Sequence, residues 1–121
     1  MKITTTLKLP TYSCELLFIV TDQIKSESEK VYKKLKLSID DDYGDNEGIL
    51  LSPDISKYFL LIDIKYLSHN TLAHEIYHAA YRITNDRGVK DEEAQAWLCG
   101  HITGVIYKFL DKKKLEIKHG R

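Results

Sequence analysis

Cysteine is scarce in this chain. Cys14 and Cys99 are the only two among 121 residues, too few for the disulfide framework that holds many small secreted domains together. Both lie in apolar surroundings, which suits buried free thiols in a reducing compartment. An excess of either charge is also missing, because 18 Lys and Arg face 18 Asp and Glu. Nothing therefore favours a nucleic-acid or anionic membrane partner on charge. Long hydrophobic runs are absent as well. Leu16-Leu17-Phe18-Ile19-Val20 is too short for a signal-peptide core or a membrane span. There is no internal repeat and no low-complexity tract. These absences leave a single domain over residues 1–121, expected in the cytoplasm and large enough for a real core.

The pattern along the chain predicts strands first and helices later. Ile3 to Leu9 is threonine-rich and alternates loosely, as a strand ending at Pro10 would. Tyr12 to Thr21 suits a second strand or the start of a helix. Asp22 to Leu37 is helical by pattern, with Ile24, Val31 and Leu35 on one stripe and a solvated Lys/Glu face. The acidic loop from Asp40 to Gly48 lacks the spacing of a calcium loop and is expected to be a solvated turn or the rim of a cleft. Gly48 to Ser52 and Ser56 to Ile64 predict a hairpin closed around Ser52-Pro53-Asp54. The second of these strands is a candidate edge for an extended peptide, or else a paired core strand. The tail from about residue 111 to 121 is expected to fray.

One pentapeptide carries the chemistry. His74-Glu75-Ile76-Tyr77-His78 has the form H-E-x-x-H inside the helical run Thr71 to Tyr81. Histidines four apart on a helix lie one turn apart on one side and can grip one ion. Glu75 is turned by about 100° from His74. It falls outside the ligand pair but within reach of water at the same ion. A zinc hydrolase needs these parts: nitrogen ligands, an open metal position and a carboxylate that takes a proton from water. Ser68 or Asn70 is the expected N-cap, with His69 as a possible helper.

A second helix follows. It opens at Asp91-Glu92-Glu93 after the glycine-containing connection Thr84 to Lys90, which suits a turn between antiparallel helices. Fourteen residues separate Glu93 from His78, enough for the new helix to fold back over the histidines. Glu93, Ala96, Gly100 and Gly104 share a side at steps of three and four. That favours Glu93 as third ligand, with Glu92 as runner-up. His101 is expected to pack or support the site and Tyr81 to pack, with oxyanion donation by Tyr81 as the sharper alternative.

HEIYH followed by a helix opening EEAQAW resembles the gluzincin branch of zincin metallopeptidases. Residues 68 to 110 also resemble small HExxH proteins encoded by bacteriophages. The resemblance implies a small α+β zincin-like domain with His74, His78 and Glu93 holding Zn2+ and Glu75 as general base. It implies hydrolysis of a peptide bond in a peptide or protein substrate. Larger gluzincins carry an aspartate four residues after the ligand glutamate to orient a histidine. Trp97 stands there, so that support must come from elsewhere, such as Asn70 or a backbone carbonyl. The metzincin continuation is absent, because Tyr81 and Thr84 occupy its later positions. Two rival readings remain: a zinc-binding structural or interaction module without turnover, and a metal-free helical protein.

Overall fold

A computed structural model describes residues 1–34 and 47–119. The fold is α+β, with a four-stranded mixed sheet and three α-helices. Strands β1 (Lys2–Leu9) and β2 (Cys14–Thr21) form an antiparallel pair joined by a short 3-10 turn at Pro10–Tyr12. Helix α1 (Ile24–Lys34) follows. Strand β3 (Gly48–Asp54) then forms a hairpin with β4 (Lys57–Asp63), and β4 inserts parallel beside β2. The sheet order is β1-β2-β4-β3. Helices α2 (His69–Asp86) and α3 (Glu92–Lys112) close the chain.

Side-chain alternation explains the layering. Successive strand residues point to opposite faces. Leu16, Phe18 and Val20 of β2 and Tyr58, Leu60 and Ile62 of β4 face one way. They share a core with Leu72, Ile76 and Ile83 of α2 and Leu98, Ile102 and Ile106 of α3. Ile19 and Leu61 face the other way, toward Ile24 and Val31 of α1. The near-continuous apolar character of β2 and β4 thus reflects burial on both faces.

The structure shifts the hairpin's turn and decides between the two alternatives for its second strand. Its turn lies at Asp54–Lys57, one step later than Ser52-Pro53-Asp54, and the Asp54 carboxylate accepts from the Ser56 amide at 2.7 Å. The strand Lys57–Asp63 is paired on both sides, so it is a core strand. The edge belongs to β3.

The ends of α2 are built by specific residues. Ser68 is the N-cap, its hydroxyl accepting from the Thr71 amide at 3.1 Å. At the other end Gly88 adopts φ +69°. The Gly88 and Val89 amides bond back to the Asn85 and Thr84 carbonyls, closing a Schellman cap. Arg87 beside it is consumed by structure. Its guanidinium donates to the carbonyls of Tyr12 at 2.6 Å and Ile83 at 3.0 Å, to that of Ile55, and to the Tyr58 hydroxyl at 2.9 Å. Tyr58 in turn donates to Asp86 at 2.7 Å. Burial first, then the Asp86 carboxylate, pushes the Tyr58 hydroxyl up to about 12.

The segment after α3 returns to the body instead of leaving it. Leu115 and Ile117 pack on the core, and Lys118 bonds through its amide to Leu67 and through its carbonyl to His69. The expected fraying therefore does not extend over residues 111–119. The acidic residues 40–46 lie outside the described residues. Among the described residues no helix is long and apolar enough to cross a membrane.

Candidate metal and hydrolytic site

Burial along α2 repeats as pairs, with Glu75, Ile76, Ala79 and Ala80 inward and His74, Tyr77, His78 and Tyr81 outward. The helical period thus divides the motif. His74 and His78 sit on the exposed face with their Nε2 atoms 3.1 Å apart. Two imidazole nitrogens bound to one tetrahedral zinc at about 2.0–2.1 Å stand roughly 3.3 Å apart. The pair therefore matches the bite of a single ion with only a small adjustment.

Glu75 is turned toward β3 and is only 8 % exposed. Its carboxylate accepts no hydrogen bond from any described residue, although it lines an open cleft of about 390 Å³. Burial pushes this carboxyl above the usual range, and the adjacent His78 and His74 pull it part of the way back. The residue as a whole is enclosed, but its carboxylate oxygens reach the open cleft, and perturbed carboxyls in clefts concentrate at functional sites.

The rest of the cleft comes from the sheet edge. Gly48, Ile49 and Leu50 of β3 form one wall, and His78, Tyr81 and Arg82 of α2 form the other. Gly48 is the point of closest approach. A Cβ there would stand 2.8 Å from Glu75 Cγ and 2.9 Å from Ile62 Cδ1, so only glycine lets the strand run this near to the carboxylate.

Helices α2 and α3 run antiparallel, with His69 Nδ1 2.8 Å from the Tyr107 hydroxyl. His69 thus ties the helices together instead of capping α2. Between them lies a groove of about 660 Å³ lined by Tyr77, Ala80 and Tyr81 of α2 and by Glu92, Ala96, Cys99, Gly100 and Thr103 among others of α3. Ala96 and Gly100 face the groove as their spacing suggested. The acid that faces it is Glu92, while Glu93 is exposed and lies outside its lining. The side of α3 turned to α2 is centred nearer Glu92 and Cys99 than the Glu93–Gly104 stripe.

No known protein-family model, characterised protein or solved structure matches the chain.

Neither glutamate joins the histidines in a three-ligand cluster among the described residues. The register explains why. Counting residues back along both helices from the His69–Tyr107 contact, an antiparallel register puts Glu92 level with Thr84. That is six residues beyond His78, or about 9 Å along the helix axis. His101 is exposed and stacks on Trp97 at 5.2 Å between ring centres, outside the groove lining. Tyr81 is exposed and stacks on Tyr77, so it is not a core residue. Asn70 makes no hydrogen bond to His74 or His78 among the described residues. Cys14 and Cys99 are unpaired and half-buried.

The two cleft residues that sequence reasoning passed over are Gly48 and Arg82. A glycine opening a strand signals close approach of another backbone or ligand. An arginine one turn after the second histidine of the motif could have been placed beside the site by the same helical spacing that paired the histidines.

Proposed function

We propose that this protein is a zinc-dependent peptidase of gluzincin type, acting on a peptide or protein substrate. The observation that carries the reading is Glu75: an enclosed residue whose carboxylate, without a hydrogen-bond partner among the described residues, opens on a cleft one helical step from a histidine pair spaced for one ion. When bound, zinc supplies a Lewis acid that acidifies water and polarises the scissile carbonyl. His74 and His78 present the nitrogens that hold it. Glu75 takes the proton of the attacking water and returns it to the leaving amine. The edge of β3 at Gly48–Leu50 lies along the cleft, where an extended peptide can pair with it. We assign the third ligand to the acidic start of α3. Glu92 takes precedence over Glu93 because it faces the α2–α3 groove, and either requires α3 to shift toward the histidines. Two unpaired thiols suit a reducing cytoplasm.

The distance of both glutamates from the histidines favours one other reading, a metal-binding module that holds zinc without turning over substrate. One experiment separates them. Wild type and Glu75→Gln are brought to equal zinc occupancy and offered a mixed peptide library. Hydrolysis by wild type, reduced about 10²–10⁴-fold in Glu75→Gln, supports the peptidase. Full zinc loading without cleavage supports the module, and equal cleavage by both proteins removes Glu75 as the base. Zinc content in Glu92→Gln and Glu93→Gln assigns the third ligand.

A further inference from the structure

We propose that Arg82 is the anchor for a carboxylate on the substrate, carried one or two residues from the scissile bond. The inference rests on the peptidase reading for the position of that bond, but not for the binding itself. Arg82 lies in the wall of the same cleft as Glu75 and His78, opposite the β3 edge. It follows His78 by one helical turn, about 6 Å along the axis. An extended peptide advances roughly 3.3 Å per residue, so a group held by Arg82 stands about two backbone steps from a carbonyl held at His78, or fewer when a side chain supplies the reach.

The guanidinium is held in place without an ion pair among the described residues. Its Nη1 donates to Ser52 Oγ of β3 at 2.7 Å, which draws the side chain across the cleft. Arg82 has no carboxylate partner among the described residues, and the side chain is exposed. A guanidinium carries five N–H donors in a planar fork that matches a carboxylate in bidentate fashion. Arg87, five residues later, shows what a structural arginine looks like in this fold: its donors end on three chain carbonyls and a tyrosine hydroxyl. Arg82 spends one donor on its own positioning, and no described residue takes the others, while the residue lines the cleft. Two sources can supply the ligand, an Asp or Glu side chain within the substrate or the α-carboxylate at its C-terminus.

The test is peptide binding to Glu75→Gln protein, which removes the proposed base, measured metal-free and zinc-loaded. Four peptides share one neutral sequence and differ only in one internal glutamate and in a free or amidated C-terminus. In the metal-free protein, where zinc cannot itself attract the acid, a carboxylate-bearing peptide should bind about tenfold or more tighter than the neutral amide. Adding Arg82→Met should erase that preference, and Arg82→Glu should reverse it toward a peptide with lysine at the same place. Preference for the internal glutamate or for the free C-terminus names the source. Affinities unchanged by Arg82→Met, equal affinities for all four peptides, or no binding at all would overturn the proposal. A carboxylate preference that survives in a protein unable to take up zinc would sink the peptidase reading and leave this one standing. Cleavage without any carboxylate preference would do the reverse.

Discussion

Glu75 owes its setting to Gly48. The strand passes so close that a single methyl group on Gly48 would have to displace the Glu75 stem or the Ile62 side chain. Gly48→Ala should therefore cost about 1–3 kcal/mol of stability, the usual range for overpacking. It should also lower turnover more than zinc affinity, because the atoms nearest a Cβ at Gly48 belong to Glu75, Ile62 and Leu61 and not to either histidine. Chemical denaturation beside zinc titration checks both, and an unchanged turnover in a folded variant would remove Gly48 as a positioning residue. A different carboxylate, Glu27, contributes to acid behaviour. Burial works to raise its pKa, but hydrogen bonds from Lys2 at 3.1 Å and Lys30 at 3.2 Å outweigh that and hold it below the usual range. A lowered folded pKa contributes stability above the unfolded value of about 4.3, and the contribution is lost as pH falls through the folded value. Both lysines are largely solvated, so screening keeps the effect to about 1 kcal/mol or less. Glu27→Gln should be less stable than wild type by that amount at pH 7 and equal to it in strong acid. A deficit that persists in acid would point to lost packing instead of lost charge.

At the level of elements, what sequence can reveal depends on whether a feature is local. Helix α2 was legible because its period, its Ser68 cap and its two histidines are all set within one segment. The β3–β4 hairpin was legible for the same reason. Which of its strands is the edge was not, because that depends on β2 pairing with β4 from far upstream. Which of Glu92 and Glu93 faces the α2–α3 groove also cannot be read from a helical wheel alone. The two differ by about 100° around α3, and the side that meets α2 is decided by how Leu98, Ile102 and Ile106 seat in the sheet. The return of Lys118 to Leu67 and His69 leaves no local signature either, since the tail composition is that of a solvated end. The α2–α3 connection gives an element-scale prediction. Gly88 holds φ +69° in open space, so Gly88→Ala meets no clash but keeps the left-handed strain. The expected loss is about 1 kcal/mol. Equilibrium unfolding measures it, and a neutral or stabilised variant would mean that the cap relaxes.

For the whole molecule the open issue is whether a metal ties α3 to α2. Two histidines on one helix can hold an ion without engaging any other element, and such binding would stabilise little beyond α2 itself. A third ligand from Glu92 would instead make the ion a clasp between two helices that already share the core through Ile76, Ile83, Leu98 and Ile102. The register argues that this clasp needs movement: the antiparallel pairing at His69 and Tyr107 leaves Glu92 about 9 Å beyond His78 along the axis. The small residues Ala96 and Gly100 in the intervening groove leave room for such a shift. Any ligand that binds only the folded state stabilises it by mass action, by about 2.7 kcal/mol at a hundredfold excess over Kd. Zinc at that excess should therefore raise the unfolding midpoint, and a chelator should return it to the metal-free value. Glu92→Gln separates the two geometries. With the clasp, the substitution weakens zinc affinity and removes most of the gain measured at the same zinc concentration. With a two-histidine site, it leaves both unchanged while His78→Ala abolishes them. Hydrogen exchange at the first turn of α3 then supplies the deciding contrast, because only a ligand drawn from that turn makes zinc slow exchange there as well as at the histidines.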